Sequence, residues 1–285
     1  MMRRLIGLLA LTTLVWQPAM AGETPDTLAK IKSSKTITIA HASSGAPFSF
    51  TKDGEPTGYS IDLCQEIVTS LEKQLGIEDI KIKWRAGNTP ERLSMVEKGD
   101  ADIDCGTTSI TLGRQEKVDF SNPVFVESGG VLVLADSGIQ GLVSLADKKV
   151  AVMSGTTTEQ RLLKALERKH VKAELVKIKD TKAGMAALES GKADAYAGDR
   201  LVLIGQVTES KDPSRYAMLK EMFSVDPYGF ALPRGDADFR LAVNRALAGV
   251  YRGAALEQIF VRWFGEDVQP SEVLQGVYLI NAYPD

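Results

Sequence analysis

A short segment, GTTSITLGRQEKVDFSNP at 106–123, carries residue types that suit the binding of a small anion. Thr107, Thr108, Ser109 and Thr111 place hydroxyls at its front end, and Arg114 follows five residues after the serine. Hydroxyls donate hydrogen bonds, and a planar guanidinium holds a carboxylate through two parallel bonds. The segment is therefore a candidate anion site. The alternative is a surface turn with a capped helix, in which Thr107 and Thr108 point to solvent.

The elements that must position this segment alternate between strand and helix. Strands are expected at 36–40, 80–84 and 101–105, and apolar residues at helical spacing predict a helix that begins after Gly58. Thr89 before Pro90 predicts the capped start of a second helix, which ends at Gly99. This order predicts a parallel sheet covered by helices, with the hydroxyl-rich segment directly after one of its strands.

The same order recurs in the second half of the chain. Strands are expected at 149–153, 174–178 and 194–197, with helices at 159–169 and 183–190 between them. The octapeptides VEKGDADI (96–103) and LESGKADA (188–195) share the pattern E-x-G-x-A-D, in which a helix ends at the glycine and Ala-Asp opens a strand. This match indicates repeated packing and carries no chemistry of its own.

Two extended crossovers are expected between the two units, at 122–130 and near 224–229. Helices are predicted at 236–251 and 254–264. The last twenty residues have no clear periodicity and are expected to lie as a tail against the first unit. These features predict two α/β domains with a cleft between them.

The first twenty-one residues are typical of a cleaved secretory signal peptide. Arg3 and Arg4 precede an apolar run of about a dozen residues, and Ala19-Met20-Ala21 has the small-x-small pattern of a cleavage site. That run is too short to span a bilayer core of about 30 Å as a helix. The chain carries 34 basic and 37 acidic residues, and loss of the leader takes the formal charge from −3 to −5. A nucleic-acid partner is disfavoured because it calls for a clustered basic excess.

The two cysteines, Cys64 and Cys105, both remain in the mature chain. Disulfides persist in exported proteins, so one bridge is predicted, with two buried free thiols as the alternative. A bridge that closes a loop of this length stabilises the folded chain by about 4 kcal/mol in the chain-entropy model.

Common catalytic and cofactor motifs are missing from the sequence. It has no G-x-G-x-x-G, no Walker-type phosphate loop, no C-x-x-C and no H-E-x-x-H, and its only histidines are His41 and His170. No G-x-S-x-G elbow supports a serine hydrolase. We therefore expect no metal, no cofactor and no hydrolase chemistry.

The order of motifs resembles the family-3 extracellular solute-binding proteins, the periplasmic polar amino-acid receptors of ATP-driven importers. Six segments in the family's order carry the resemblance: APFSF (46–50), GYSIDLCQEIV (58–68), GDADIDCGTTSITLGRQEKVDFSNP (99–123), VMSGTTTEQ (152–160), SGKADAYAGDRLVL (190–203) and GFALPRGD (229–236). The resemblance implies the two-lobe type II periplasmic-binding-protein fold, with mostly parallel sheets flanked by helices and two crossover strands. Lobe 1 would span 22–127 and 228–285, and lobe 2 would span 128–227.

The resemblance also implies which residues bind the ligand. Arg114 matches the arginine that holds the ligand's α-carboxylate, with Ser109 beside that carboxylate and Thr107 nearer the amine. The opposite lobe would contribute Thr156 and Thr157 at a helix start, where backbone N–H groups also meet the carboxylate. Asp199 matches the acid that pairs with the ligand ammonium, and by itself it also fits a helix N-cap.

Side-chain specificity rests on residues of the first lobe. Arg92 falls where acidic amino-acid receptors of this family place an arginine near the ligand side chain, with Thr89 as a nearby hydroxyl. Gly45 and Thr89 replace the aromatic rings that are common in receptors for basic amino acids. Glutamate or aspartate is therefore predicted. Ala42 stands where such receptors carry an additional arginine, which leaves glutamine, asparagine or broader polar specificity as the alternative.

The resemblance implies a monomeric, non-catalytic receptor in the periplasm. It would bind an L-amino acid and pass it to an inner-membrane ABC permease with a cytoplasmic ATPase. Two other functions stay open: an exported enzyme on the same fold, similar to the cyclohexadienyl or arogenate dehydratases, and a receptor that signals to a membrane sensor.

Overall fold

The computed structural model describes residues 26–284, so the predicted signal peptide at 1–21 lies outside the described residues. The first part of the chain alternates strands and helices and then crosses to a second lobe. Its elements are α1 (Thr27–Ser34), β1 (Thr36–His41), β2 (Ser44–Gly45), β3 (Ser49–Lys52), β4 (Glu55–Thr57), α2 (Tyr59–Leu75), β5 (Lys81–Ala86), α3 (Thr89–Glu97), β6 (Ile103–Asp104), α4 (Leu112–Gln115), β7 (Val118–Phe120) and β8 (Phe125–Leu134).

The rest of the described chain builds the second lobe and returns to the first. Its elements are β9 (Lys149–Met153), α5 (Thr157–Arg168), β10 (Glu174–Ile178), α6 (Thr181–Glu189), β11 (Ala195–Asp199), α7 (Arg200–Thr208), β12 (Tyr216–Met218), β13 (Ser224–Tyr228), β14 (Ala231–Pro233), α8 (Ala237–Arg252), α9 (Ala255–Phe264) and α10 (Glu272–Asn281). None of these helices is both long and apolar enough to cross a membrane.

The first lobe is built on a five-stranded sheet with the order β5-β1-β6-β14-β7. Strands β5 and β6 pair with β1 in parallel, and β14 enters antiparallel after the chain has returned from the other lobe. The returning helices α8 and α9 pack on α2. A small sheet, β2-β3-β4, lies beside this core.

The second lobe is built on a sheet with the order β10-β9-β11-β8-β12, to which β13 adds by pairing with β8. The pairs β9–β10 and β9–β11 are parallel, whereas β8 is antiparallel to its neighbours. Separate apolar clusters cover the two faces of this sheet, one beneath α5 and one beneath α6. The architecture is the predicted two-lobe α/β fold.

Two strands connect the lobes. Strand β8 leaves the first lobe, β13 returns to it, and the two pair antiparallel from Phe125 opposite Tyr228 to Gly129 opposite Ser224. Both expected crossovers are thus present as one hydrogen-bonded ribbon. Such a ribbon forms a natural hinge because, within residues 26–284, the chain passes from one lobe to the other only along these two strands.

The repeated E-x-G-x-A-D pattern performs the same structural task in each lobe. Asp102 and Asp194 each stand at the beginning of an inner strand, and each accepts a 2.8 Å hydrogen bond from a backbone N–H of the neighbouring strand, Thr38 and Lys149 respectively. The glycine before each, Gly99 and Gly191, has a positive φ that ends the preceding helix. The repeat therefore fixes strand register, as its packing interpretation requires.

The predicted bridge between Cys64 and Cys105 is present, and their Cα atoms are 6.4 Å apart. It joins the second turn of α2 to the residue that follows β6, immediately before Gly106 opens the hydroxyl-rich segment. The bridge therefore anchors the base of that segment to the lobe core.

Two local predictions were wrong. Helix α3 is capped by Asn88, which accepts from the N–H of Glu91 and completes a reciprocal capping box, so Thr89 is already helical and its hydroxyl is free for another partner. The C-terminal segment is helix α10 rather than an irregular tail, although it packs against the first lobe as predicted. Ser271 caps it, and Leu274 and Tyr278, four residues apart, bury one face.

Candidate ligand-binding site

A cavity of about 330 Å³ lies between the lobes, and polar side chains from both lobes line it. The structure brings every predicted ligand-side residue to this one cavity. These residues are Ala42, Thr89, Arg92, Thr107, Ser109 and Arg114 from the first lobe and Thr156, Thr157 and Asp199 from the second. Chain segments more than a hundred residues apart therefore converge on one site.

The lobes contact each other beside the cavity. Ser109 Oγ lies 3.0 Å from Thr157 Oγ1, and Thr181 Oγ1 donates to the carbonyl of Ser44 at 2.5 Å. Each of these hydrogen bonds joins one lobe to the other. A ligand in this cavity is therefore surrounded by both lobes at once.

Arg114 is positioned by the short helix α4. Thr111 caps that helix by accepting from the N–H of Arg114 at 3.1 Å, and one guanidinium nitrogen donates to the Ser109 carbonyl at 2.7 Å. Burial lowers the pKa of Arg114, and the charge of Asp104 acts against this shift. An arginine guanidinium is not deprotonated in proteins, so this group carries a positive charge. It is a fixed cation that can hold a carboxylate bidentately.

The start of helix α5 supplies the second half of the anion site. Thr156 is its N-cap and accepts from the N–H of Glu159 at 3.2 Å while it donates to the Met153 carbonyl at 2.8 Å. Thr157 opens the helix and points its hydroxyl at Ser109. The first N–H groups of a twelve-residue helix carry partial positive charge, so this end attracts an anion.

Asp199 stands at the N-cap position of α7 but does not cap it. Its Oδ1 accepts from Thr158 Oγ1 at 2.8 Å, and its Oδ2 accepts from the Tyr228 hydroxyl. Burial raises the pKa of Asp199, and the two hydroxyls act against that shift. A cation beside this carboxylate would lower its pKa, since it stabilises the charged form. Asp199 is thus a buried carboxyl group at the cavity, held by two hydroxyl donors.

Arg92 is almost fully buried, with 1% of its surface exposed, and lies against the wall of the cavity. Its Nε donates to Asp104 Oδ1 at 2.7 Å, and its terminal nitrogens donate to the Gly87 carbonyl and to the hydroxyls of Thr89 and Thr108. A buried arginine needs this number of partners, because removing its charge from water is expensive. Its charge is therefore partly satisfied before any ligand arrives.

Asp104 and Thr108 do not line the cavity but hold Arg92 in place, a role that the sequence did not predict for either residue. Thr108 is fully buried and donates to Asp104 at 2.6 Å, so the alternative in which its hydroxyl points to solvent does not hold. Asp104 also accepts from the N–H of Gly106 at 2.9 Å. An acidic residue between Ile103 and Cys105 in a buried strand is the sequence signal that points to such a partner.

The hinge ribbon carries one more buried carboxyl group, that of Glu127. Only 4% of this residue is exposed, and its register partner on β13 is another acid, Asp226. Burial raises the pKa of Glu127 to about 8, the charge of Asp199 adds to this, and the backbone amides of Ser128 and Leu201 oppose it. Glu127 is not among the residues that line the cavity.

Among the described residues, no cluster of three or more metal-ligating side chains occurs.

Two α/β lobes on a two-stranded hinge, with a polar cavity between them, define a binding protein of the type II periplasmic-binding-protein class. The bacterial extracellular solute-binding proteins, family 3, match residues 37–266, and the chain belongs to this family.

Its relatives include binding proteins named for several amino acids. An L-glutamate/L-aspartate-binding protein of Pseudomonas aeruginosa is 32% identical over 269 residues, which cover 93% of this chain and 89% of the relative. A glutamate/aspartate import solute-binding protein of Escherichia coli is 29% identical over 87% of this chain and 82% of its own. An ABC transporter glutamine-binding protein of Bacillus subtilis is 28% identical over 85% and 86%.

Solved structures of similar fold add further amino-acid-binding proteins. An ancestral arginine-binding protein bound to glutamine superposes with a TM-score of 0.72 at 27% identity, covering 81% of this chain and 99% of that one. An ancestral amino acid-binding protein described as a precursor of cyclohexadienyl dehydratase superposes with a TM-score of 0.71 at 27% identity, covering 84% and 100%.

Proposed function

We propose that the mature protein is a periplasmic receptor of an ABC importer that binds a polar L-amino acid, with glutamate and aspartate as its preferred ligands. The observation that carries this proposal is the placement of Arg114 and Asp199 on opposite lobes around one cavity. An amino-acid zwitterion presents a carboxylate and an ammonium a few ångströms apart. A cation on one wall and an anion on the other match both groups.

The same placement accounts for lobe closure. Moving either ligand charge out of water without a partner costs several kcal/mol, so a partly closed site binds poorly. Arg114 and Ser109 lie in the first lobe, whereas the α5 N-terminus and Asp199 lie in the second. Only the closed protein places a partner beside each of the two ligand charges. Ligand binding therefore selects the closed state, which an inner-membrane permease with its cytoplasmic ATPase can recognise.

The preference for an acidic side chain rests on Arg92 and on the relatives named for glutamate and aspartate. Arg92 places a guanidinium at the cavity wall, where it attracts a carboxylate and repels a cationic side chain. Ala42, which also lines the cavity, offers only a methyl group. The relative named for glutamine makes the amide the nearest competitor.

Calorimetric titration of the mature protein with the twenty amino acids tests the proposal. We expect glutamate or aspartate to bind most tightly, with Arg114→Ala abolishing the heat of binding. Strongest binding of lysine, or an affinity that Arg114→Ala leaves intact, would contradict the site assignment.

A second function, dehydration of a cyclohexadienyl substrate, is favoured by the ancestral dehydratase precursor and by the raised pKa of Asp199 in the cavity. A raised pKa suits a general acid. Incubation with prephenate or arogenate distinguishes the two functions: product formation supports the enzyme, and an unchanged substrate supports the receptor.

A further inference from the structure

The charge of Arg92 is opposed by a carboxylate that lies behind it. Arg92 lines the cavity, whereas Asp104 does not, and the two are joined by a 2.7 Å salt bridge. Their side chains are 2% and 0% exposed. Because both are out of water, the surrounding solvent screens neither charge effectively. A ligand side chain in the cavity therefore senses the pair, and not an isolated guanidinium.

Asp104 is held firmly in this position. It accepts from Arg92 Nε, from the N–H of Gly106 at 2.9 Å and from Thr108 Oγ1 at 2.6 Å. A Cβ on Gly106 would lie 2.4 Å from the Arg92 guanidinium, so only glycine leaves room for that group. The geometry of the pair is thus fixed by the loop that also carries Thr107 and Ser109.

We propose that Asp104 is a positioning residue that sets the selectivity between acidic and amide ligands by neutralising Arg92 from behind. The inference rests on the proposed function, since it concerns the amino acid bound in the same cavity. With Asp104 charged, Arg92 attracts a side-chain carboxylate only moderately better than an amide. Glutamate and glutamine then both remain ligands, with glutamate preferred.

Asp104→Asn tests this role with little change in shape. The amide oxygen can replace Oδ1 and accept from Arg92 and Gly106, while the amide nitrogen faces the Thr108 hydroxyl, which can accept. The substitution removes one negative charge and leaves the arginine in place. We expect the ratio of the glutamine Kd to the glutamate Kd to rise at least tenfold, which corresponds to about 1.4 kcal/mol.

Asp102→Asn is the matched control. Asp102 is buried in the same lobe, two residues from Asp104, and pairs with Lys30 at 2.7 Å away from the cavity. Its loss should lower stability and leave the ratio within about threefold of the wild-type value, about 0.6 kcal/mol. A general loosening of the lobe would affect both variants alike.

If the unpaired buried arginine prevents the Asp104→Asn variant from folding, the double variant Arg92→Gln, Asp104→Asn still tests the inference. It contains neither charge, so the proposal predicts that the ratio falls by less than tenfold, because the neutralised pair contributes only a moderate part of the glutamate preference. If Arg92 instead acts as a full cation that Asp104 does not offset, the double variant loses glutamate preference tenfold or more.

The outcomes separate this inference from the proposed function. If wild type binds neither amino acid, the proposed function fails. If it binds them and the ratio does not rise in Asp104→Asn, or falls tenfold in the double variant, the role of Asp104 is overturned while the receptor function stands.

Discussion

Asp199 shows how one side chain can stand at a helix-cap position without capping the helix. The residue occupies the N-cap of α7, yet both carboxylate oxygens accept from hydroxyls, of Thr158 and Tyr228. Those hydroxyls come from α5 and from the end of the hinge strand β13. The carboxylate is therefore linked to the hinge as well as to the cavity.

Asp199→Asn should weaken amino-acid binding at least thirtyfold and leave folding nearly unchanged. The amide cannot neutralise an ammonium, and losing one partner of a buried charge pair costs about 2–5 kcal/mol. Isothermal titration with glutamate measures the loss. Asp194→Asn, at the other end of β11 and outside the cavity, is the control and should bind like wild type. If Asp199→Asn and Asp194→Asn bound glutamate equally tightly, Asp199 would not be a ligand-binding residue.

Glu127 should make stability depend on pH in a predictable direction. The folded carboxyl keeps its proton up to about pH 8, whereas its ordinary pKa is 4.5. Between these values the folded state binds more protons than the unfolded state, so the free energy of unfolding falls as the pH rises.

Glu127→Gln removes this dependence. We expect the variant to unfold like wild type at pH 4 and to exceed it by on the order of a few kcal/mol at pH 8.5, as measured by urea denaturation. If the free energies of unfolding of wild type and Glu127→Gln changed in parallel between pH 4 and pH 8.5, the prediction would be contradicted.

Helix α7 approaches the first lobe closely at Gly205. A Cβ there would lie 2.7 Å from the backbone oxygen of Ala46, which belongs to the loop between β2 and β3. No flexible side chain stands at this contact to move aside. A methyl group at this position of the helix would therefore oppose the contact between α7 and the first lobe.

Gly205→Ala should weaken glutamate affinity about tenfold or more while it stabilises the ligand-free protein. Alanine favours the helix by up to about 1 kcal/mol, but its methyl group opposes the closed contact. Calorimetry and thermal unfolding without ligand measure the two effects separately. Gly249→Ala, in α8 with open space around the new methyl, should gain stability and keep its affinity. Unchanged affinity in Gly205→Ala would show that this contact does not limit closure.

At the scale of the whole molecule, the sequence predicted the features that depend on the local order of residues along the chain. The two lobes, the paired crossovers and the disulfide follow from periodicity, glycine stops and cysteine count. The shift of a cap from Thr89 to Asn88 was missed because adjacent residues both suit the position.

What the sequence did not predict depends on packing between distant elements. The Arg92–Asp104 pair joins α3 to β6 and becomes visible only when both are placed. Helix α10 was missed because Pro270 and Pro284 flank a short segment whose buried side chains are set by its docking on the first lobe. The role of each cavity residue in binding stays a prediction.

The central claim is that one cavity provides charged partners for both the carboxylate and the ammonium of an amino-acid zwitterion. The direct measurement is calorimetric titration of the mature protein with L-glutamate and with two analogues, 2-oxoglutarate, which lacks the ammonium, and 4-aminobutyrate, which lacks the α-carboxylate. We predict that each analogue binds at least thirtyfold more weakly than glutamate, since each leaves Asp199 or Arg114 without a charged partner. If either analogue bound within threefold of glutamate, the two-charge site would be contradicted.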